Sequence, residues 1–259
     1  MSNPAEQLEA LRLRIAARNE AEGAADSIGI SQAGEVFHLN IDGGSETFED
    51  LMDTLAKPDV APFISSLVLR RPDEGANGTN NWDIELLVQT EAMYSQLEAF
   101  SIQLGQPADH NRSIVAASYD EDGVLARLLA KSPRLQALTA PSAPDTAFFE
   151  VGERPLRFMS IDAGYDTQNF ILNLARSSCF PDLQCFEWGE YRETYVDDYL
   201  DNCTPIEHYR ELFQSPAFRS VRRFVWRNPA CANEEIRELK ATTRPDLQLL
   251  VVRYSCEYV

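Results

Sequence analysis

Lysine is almost missing from this chain. Lys57, Lys131 and Lys240 are the only three in 259 residues, and the remaining cations are arginines. Together 23 Lys and Arg face 41 Asp and Glu, leaving a formal charge of -18. Acidity on this scale repels phosphate backbones and anionic lipid, which argues against nucleic acid or a membrane surface as ligand and favours a basic protein. The alternative reading of the same surplus is solubility alone. Histidine is as sparse as lysine. His38, His110 and His208 are far apart, and His208, beside Glu207 on a predicted helix, reads as a surface residue rather than a base.

Signatures of catalysis are missing too. There is no glycine-rich phosphate loop, no GxSxG elbow and no HExxH zinc helix. Asp120-Glu121-Asp122-Gly123 lacks the spacing and terminal glutamate of a calcium loop and reads as a turn into a helix. Carboxylates are so abundant that a pair of them carries no information. No catalytic residue, metal or cofactor is expected, and a hydrolase with a loop-built site is the weakest alternative. The five cysteines, Cys179, Cys185, Cys203, Cys231 and Cys256, are odd in number and lack CxxC spacing. Several fall at apolar positions, where a reduced thiol acts as a small hydrophobe. Apolar runs are no longer than a strand, far short of the roughly 20 residues of a membrane span. Met1 to Ala10 is polar and acidic, so no secretory segment is expected. These features point to a reducing cytoplasm.

What the chain does have is one pattern written repeatedly: a helix, a proline, then a short strand with apolar residues at x, x+3 and x+5. The triplets are Ile64/Leu67/Leu69, Leu97/Phe100/Ile102, Leu135/Leu138/Ala140, Leu156/Met159/Ile161, Leu183/Phe186/Trp188, Val221/Phe224/Trp226 and Leu247/Leu250/Val252. Side chains at x+3 and x+5 lie on one face of a strand, and those at x+2, x+4 and x+6 on the other. No copy can bury its apolar face alone, so copies must stack. The cadence is that of a leucine-rich repeat. The predicted fold is α/β: an irregular solenoid with parallel strands on the concave face and helices on the convex face.

In order along the chain, residues 5–21 read as a helix with Leu8, Leu11 and Ile15 on one face. Glu20 to Ser27 reads as a flexible joint, so 1–27 forms a helix and linker that caps the first repeat, and 28–259 forms the array. Glu35 to Ile41 is the first predicted strand, followed by a helix from about Thr47 to Ala56 that Lys57-Pro58 stops. Pro72 to Asn81 reads as a polar loop, Trp82 to Leu97 as a long amphipathic helix, and Ser113 to Tyr119 as either a strand or an extended connection. Helices are expected over 124–130, 169–177, 205–214 and 234–242. Thr204-Pro205-Ile206-Glu207 combines a capping box with proline at the first helical position, and Asn233 suits a cap.

The stretch from Leu156-Arg157-Phe158-Met159-Ser160-Ile161 to Phe180-Pro181-Asp182-Leu183-Gln184-Cys185-Phe186-Glu187-Trp188-Gly189 resembles the uncharacterised bacterial leucine-rich-repeat proteins of the cytoplasm. The resemblance covers roughly 63–259 and implies an irregular solenoid used for protein interaction, with no catalytic residues to carry over. One departure stands out. The asparagine that usually ends the repeat's turn is replaced by Pro72, Gly105, Ala143, Gly164, Tyr191, Pro229 and Ser255, and the copies start 21 to 38 residues apart.

Two surfaces are candidates for binding. The outward strand positions, Arg70, Gln103, Thr139, Ser160, Asp162, Glu187, Arg223, Arg227 and Arg253, form the concave face, mixed or acidic at first and basic in the last rows. The sharper candidate is 188–202, where Glu187, Glu190, Glu193, Asp197, Asp198 and Asp201 interleave with Trp188, Tyr191, Tyr195 and Tyr199. Aromatics amid carboxylates suit an interface with a basic protein, giving rigid contact area and steering charge. Tyr191, Tyr195 and Tyr199 are spaced by four, which also fits one core-facing helix stripe. The expected function is a non-catalytic protein-binding scaffold, either an acidic immunity or inhibitor protein for a basic toxin or enzyme, or a repeat adaptor in a larger complex. Its oligomeric state is left open by the sequence.

Overall fold

Residues two apart on an extended chain share a face, so the repeated x+3 and x+5 positions predict two buried lines running across neighbouring strands. The computed structural model describes residues 3–73, 75, 78–106, 109–115, 121–190 and 199–254. The chain opens with α1 (Pro4–Glu22), the strands β1 (Ser27–Ala33) and β2 (Val36–Asp42), α2 (Ser45–Leu55) and β3 (Ile64–Arg70). Next come β4 (Gly78–Asn81), α3 (Glu85–Gln89), β5 (Ala99–Ile102), β6 (Asn111–Ile114), α4 (Val124–Lys131) and β7 (Ala137–Ala140). The last part holds β8 (Phe158–Asp162), α5 (Phe170–Arg176), β9 (Cys185–Gly189), α6 (Tyr199–Asn202), α7 (Ile206–Gln214), β10 (Arg223–Arg227), α8 (Asn233–Thr242) and β11 (Gln248–Val252).

Nine strands form one sheet in the order β1-β2-β3-β5-β7-β8-β9-β10-β11, parallel throughout except for the β1–β2 hairpin. The registers place Leu39, Leu67, Phe100, Leu138, Met159, Phe186 and Phe224 side by side in one line, all buried. Ile41, Leu69 and Ile102 begin the second line, and Ala140, Ile161, Trp188 and Trp226 continue it. In-register parallel strands are about 4.8 Å apart, close to the ring-stacking distance. Phe186 and Phe224 accordingly stack at 5.2 Å with an interplanar angle of 7°.

The backbone continues the ladder one residue before β5, β7, β8, β9 and β10. Glu98, Gln136, Arg157, Gln184 and Arg222 each donate an amide to the carbonyl of the matching residue in the copy before, beginning with Glu98 to Ser65 at 2.8 Å. Helices cover the apolar face in a succession of contacts, α1 with α2, α2 with α3, α3 with α4, and α5 with α7. Glu121 caps α4 by accepting the amide of Gly123 at 3.0 Å and that of Leu125, and burial raises its carboxyl to about 7. No helix among the described residues is long and apolar enough to cross a membrane.

Several expectations need correction. Glu20 to Ser27 is no free joint: Gly23 ends α1 in the left-handed conformation, and Asn19 both donates to the Asp26 carbonyl (2.6 Å) and accepts its amide (3.2 Å). The chain then forms β1, which the alternation did not reveal, and turns at left-handed Gly34 into β2. Leu8, Leu11 and Ile15 are buried in the same core as the sheet. The long helix expected over 82–97 is only α3, because Lys131 takes the carbonyls of Thr90 and Ala92 (the latter at 3.0 Å) and Tyr94 donates to the Lys131 carbonyl. The supposed loop contains β4, which pairs in parallel with β6 as a separate small sheet. Residues 116–120 lie outside the described residues. Thr204 does not cap α7 with its side chain; its amide donates to Glu190 instead. At α8 the cap comes from Glu235, which accepts the Ala232 amide at 2.9 Å, rather than from Asn233.

The last copy is shifted by one. Phe224 pairs with Leu249 and Trp226 with Val251, so Leu249, not Leu250, extends the buried line. A one-residue slip moves every side chain to the opposite face, and Arg253 leaves the outward row with it. Leu249→Asp is expected to lower unfolding free energy by about 2–4 kcal/mol, and Phe224→Ala by about 3–5 kcal/mol. Leu250→Asp, on the outward side of an edge strand, is expected to cost under about 1 kcal/mol. Urea denaturation checks this, and an equal cost at 249 and 250 contradicts the register.

Candidate functional site

The outward face of the sheet is set by the same alternation. In the x+4 row Thr139 pairs with Ser160 and Ser160 with Glu187. In the x+6 row Asp162, Gly189 and Arg227 are successive partners on β8, β9 and β10. An acid and a base two strands apart meet only if the residue between them has no side chain. Gly189 supplies that gap: a Cβ there would fall 2.0 Å from Asp162 Oδ1 and 3.3 Å from Arg227 Nε. Arg227 Nη2 therefore reaches Asp162 Oδ1 at 3.0 Å, and Nη1 reaches Glu187 Oε2 at 3.4 Å. Nη2 also lies 3.3 Å from Ser160 Oγ, whose hydroxyl donates to Glu187 Oε2 at 3.2 Å. Arg227 is 13% exposed, Asp162 28% and Glu187 23%. At that depth the pair is only partly screened, and removing one partner leaves a charge in a poor solvent.

This network corrects the expected charge gradient. The last rows do not offer free basic charge at Arg227, because Asp162 and Glu187 neutralise it. Arg223, at the start of β10, is exposed and remains available. Arg253 lies past β11 and donates to the Cys231 carbonyl at 3.0 Å.

The aromatic–acidic stretch divides. Glu187 lies on the outward face, as expected. Trp188 does not: it is fully buried and stacks on Phe170 at 5.2 Å with a 3° interplanar angle, so it offers nothing to a partner. Glu190 is buried as well, contrary to its expected place on an interface. Its carboxylate accepts from Trp188 Nε1 at 2.8 Å, from the Thr204 amide at 3.2 Å and from the Tyr209 hydroxyl. Burial raises the Glu190 carboxyl above its ordinary value. Burial, with the nearby Glu190 charge, pushes the Cys231 thiol up to about 12. This carboxylate ties the end of β9 to α7. Tyr191, Glu193, Tyr195, Asp197 and Asp198 lie outside the described residues, as does the side chain of Tyr199 at the start of α6.

Beside the Arg227 network, at the carboxyl ends of the strands, is a polar hollow of about 100 Å³ edged by Arg112, Ser113, Gly164, Asn228 and Tyr254. Arg112 lies over the Tyr165 ring at 4.7 Å, and the Tyr165 hydroxyl is 2.7 Å from Thr79 Oγ1. Small-molecule sites span roughly 300–1,000 Å³, and this hollow is smaller than that range. The histidines do not converge on it. His110 pairs with Asp73 at 2.8 Å, a contact that holds the Asp73 carboxyl down at about 2, and burial lowers His208. Among the described residues no group of three or more His, Cys, Asp or Glu is arranged to hold a metal ion.

Comparison with protein-family models, with curated proteins and with solved structures gave no match to this chain.

The Gly189 gap makes a sharp test. Gly189→Ala is expected to cost about 1–3 kcal/mol of stability by overpacking, and the cost is expected to shrink in an Asp162→Ala background, where the obstructing carboxylate is gone. A urea-melt double-mutant cycle reads this coupling. Strict additivity would show that the acid–glycine–base row is not built as described.

Proposed function

We propose that the chain is a non-catalytic protein-interaction scaffold of the leucine-rich-repeat kind, a cytoplasmic solenoid that binds a basic protein. The strands follow one another in sequence order, with helices in succession over their apolar face, which supports stacked copies of one unit. The described cysteines are free thiols, which fits a reducing compartment.

One observation carries the choice of partner. The few cations of this acidic chain are largely consumed inside it. Arg12, Arg14, Arg18, Arg127, Arg134, Arg176, Arg210, Arg222, Arg227, Arg237 and Arg244 each pair with a carboxylate of the chain itself. Lys131 and Arg253 are occupied by backbone carbonyls. Most of these pairs are exposed and add little stability, typically about 0–1 kcal/mol, but with so many cations taken up internally few are left to offset the formal charge of -18. Such a surface steers a basic partner and rejects an acidic one. An immunity or inhibitor protein that occludes a basic toxin or enzyme is the class this acidity fits.

The charge balance around Arg227 favours a second reading, an adaptor in a larger complex whose sheet face binds without charge dominance. Ionic strength separates the two. With the chain immobilised, a partner captured at about 0.05 M salt is expected to be basic and to be lost at about 0.5 M. Capture that is indifferent to salt contradicts the acidic-scaffold reading and favours the adaptor.

A further inference from the structure

Between α2 and the segment leading into α3 is a cleft of about 550 Å³, inside the roughly 300–1,000 Å³ range of ligand pockets. Its floor is apolar. Phe48 and Met52 come from α2, and Trp82 and Leu86 from the facing side. Phe48 and Trp82 meet edge to face at 5.4 Å, which fixes the floor, while Leu86 is left 41% exposed.

The rim is acidic in a selective way. Helix α2 carries four carboxylates, Glu46, Glu49, Asp50 and Asp53. Glu46 and Asp50 turn toward α1, where Arg18 contacts both and Arg14 lies 3.7 Å from Asp50. Glu49 and Asp53 turn toward the cleft, and among the described residues neither makes an ion pair. Across the cleft the same division recurs: Glu85 is taken by Arg127 at 2.5 Å, and Asp83 has no cation among the described residues. Among the described residues the one basic side chain lining the cleft is Arg71, whose Nη2 lies 2.5 Å from Ser45 Oγ. Glu49 and Asp53 are one helical turn apart, so their charges repel and oppose the helix that carries them. An outside cation seated between them relieves that repulsion, and an apolar neighbour on the same ligand covers the floor.

We propose that this cleft receives an arginine or lysine from a basic segment of a protein partner, with an adjoining apolar side chain of that segment lying on Phe48, Met52 and Leu86. The proposal rests on the acidic-scaffold reading and gives it a docking point away from the outward strand face. Charge complementarity selects the cation, and the exposed leucine selects a segment that also carries an apolar residue.

The test uses the full chain and a fluorescein-labelled hexapeptide of alternating Arg and Leu, followed by fluorescence anisotropy. Peptides alternating Arg with Ser and Glu with Leu serve as comparisons. The Arg–Leu peptide is expected to bind roughly tenfold tighter than Arg–Ser, and the Glu–Leu peptide not at all. Glu49→Gln with Asp53→Asn is expected to weaken Arg–Leu binding roughly tenfold. Glu150→Gln with Glu153→Gln, which removes two exposed carboxylates outside the cleft, is expected to change it less than about twofold. Both double variants alter exposed positions, and matching urea melts confirm that they fold. Equal weakening by the two overturns the cleft as docking point and leaves the acidic scaffold standing, since the attraction is then diffuse. Failure of the Arg–Leu peptide to bind the unaltered chain overturns both. Spermidine competing at the same concentration as the peptide would make the cleft a small-amine site, and that also overturns the proposal.

Discussion

The structure depends on one constraint: parallel strands must lie in register, so that the third and fifth positions after each leading apolar residue meet their counterparts on the next strand. Leu138, Met159, Phe186 and Phe224 form a single buried line only because none of the intervening connections changes that register. The connections differ in length, yet the amide that precedes each of β5, β7, β8, β9 and β10 bonds to the matching carbonyl before it. Variation is thereby confined to the helices and to the loops at the carboxyl ends of the strands. Large aromatic rings are tolerated in the line because the strand spacing nearly equals their stacking distance.

The same register writes the outward face. Once Asp162, Gly189 and Arg227 are neighbours, the glycine is the only one of the three that lets the other two touch. The resulting network spends a basic residue that would otherwise have lightened the acidic surface. Across the molecule arginines are repeatedly used in this way, toward the chain's own carboxylates, and the exceptions become informative. Glu49 and Asp53 stand out because their helix neighbours Glu46 and Asp50 both have arginine partners and, among the described residues, they do not. In a chain with 41 acidic residues acidity alone locates nothing. The failure to be paired, beside an apolar floor, does.

Much of the fold was legible because its signal is local and repeated. The strand positions follow from spacing alone, and the acid–glycine–base row was present in the same cadence as three successive x+6 residues. The last strand was misread because Leu247, Leu249, Leu250, Val251 and Val252 satisfy either parity, so only pairing with β10 decides. β1 was missed because Gly29 interrupts its two isoleucines, and its strand character comes from pairing with β2. The helix over 82–97 failed for a tertiary reason, since Lys131 claims carbonyls that a longer helix would have used. Trp188 and Glu190 read as a binding surface by composition, but the core needed the ring and the α7 connection needed the carboxylate. No local pattern distinguishes a buried glutamate from its exposed neighbours until Tyr209 and Thr204 are brought beside it.

The ordering of strands is tested most directly by cross-linking across the outward face. Val68 pairs with Ser101, and Ser101 with Thr139, so Val68 and Thr139 are two strands apart. A disulfide needs Cα atoms within about 7 Å, which one parallel spacing of about 4.8 Å satisfies and two spacings do not. Oxidation of Ser101→Cys with Thr139→Cys is predicted to give an intramolecular disulfide in the native protein, while Val68→Cys with Thr139→Cys remains reduced. Bridging of the second pair, or failure of the first, would contradict the stacked order on which the account is built.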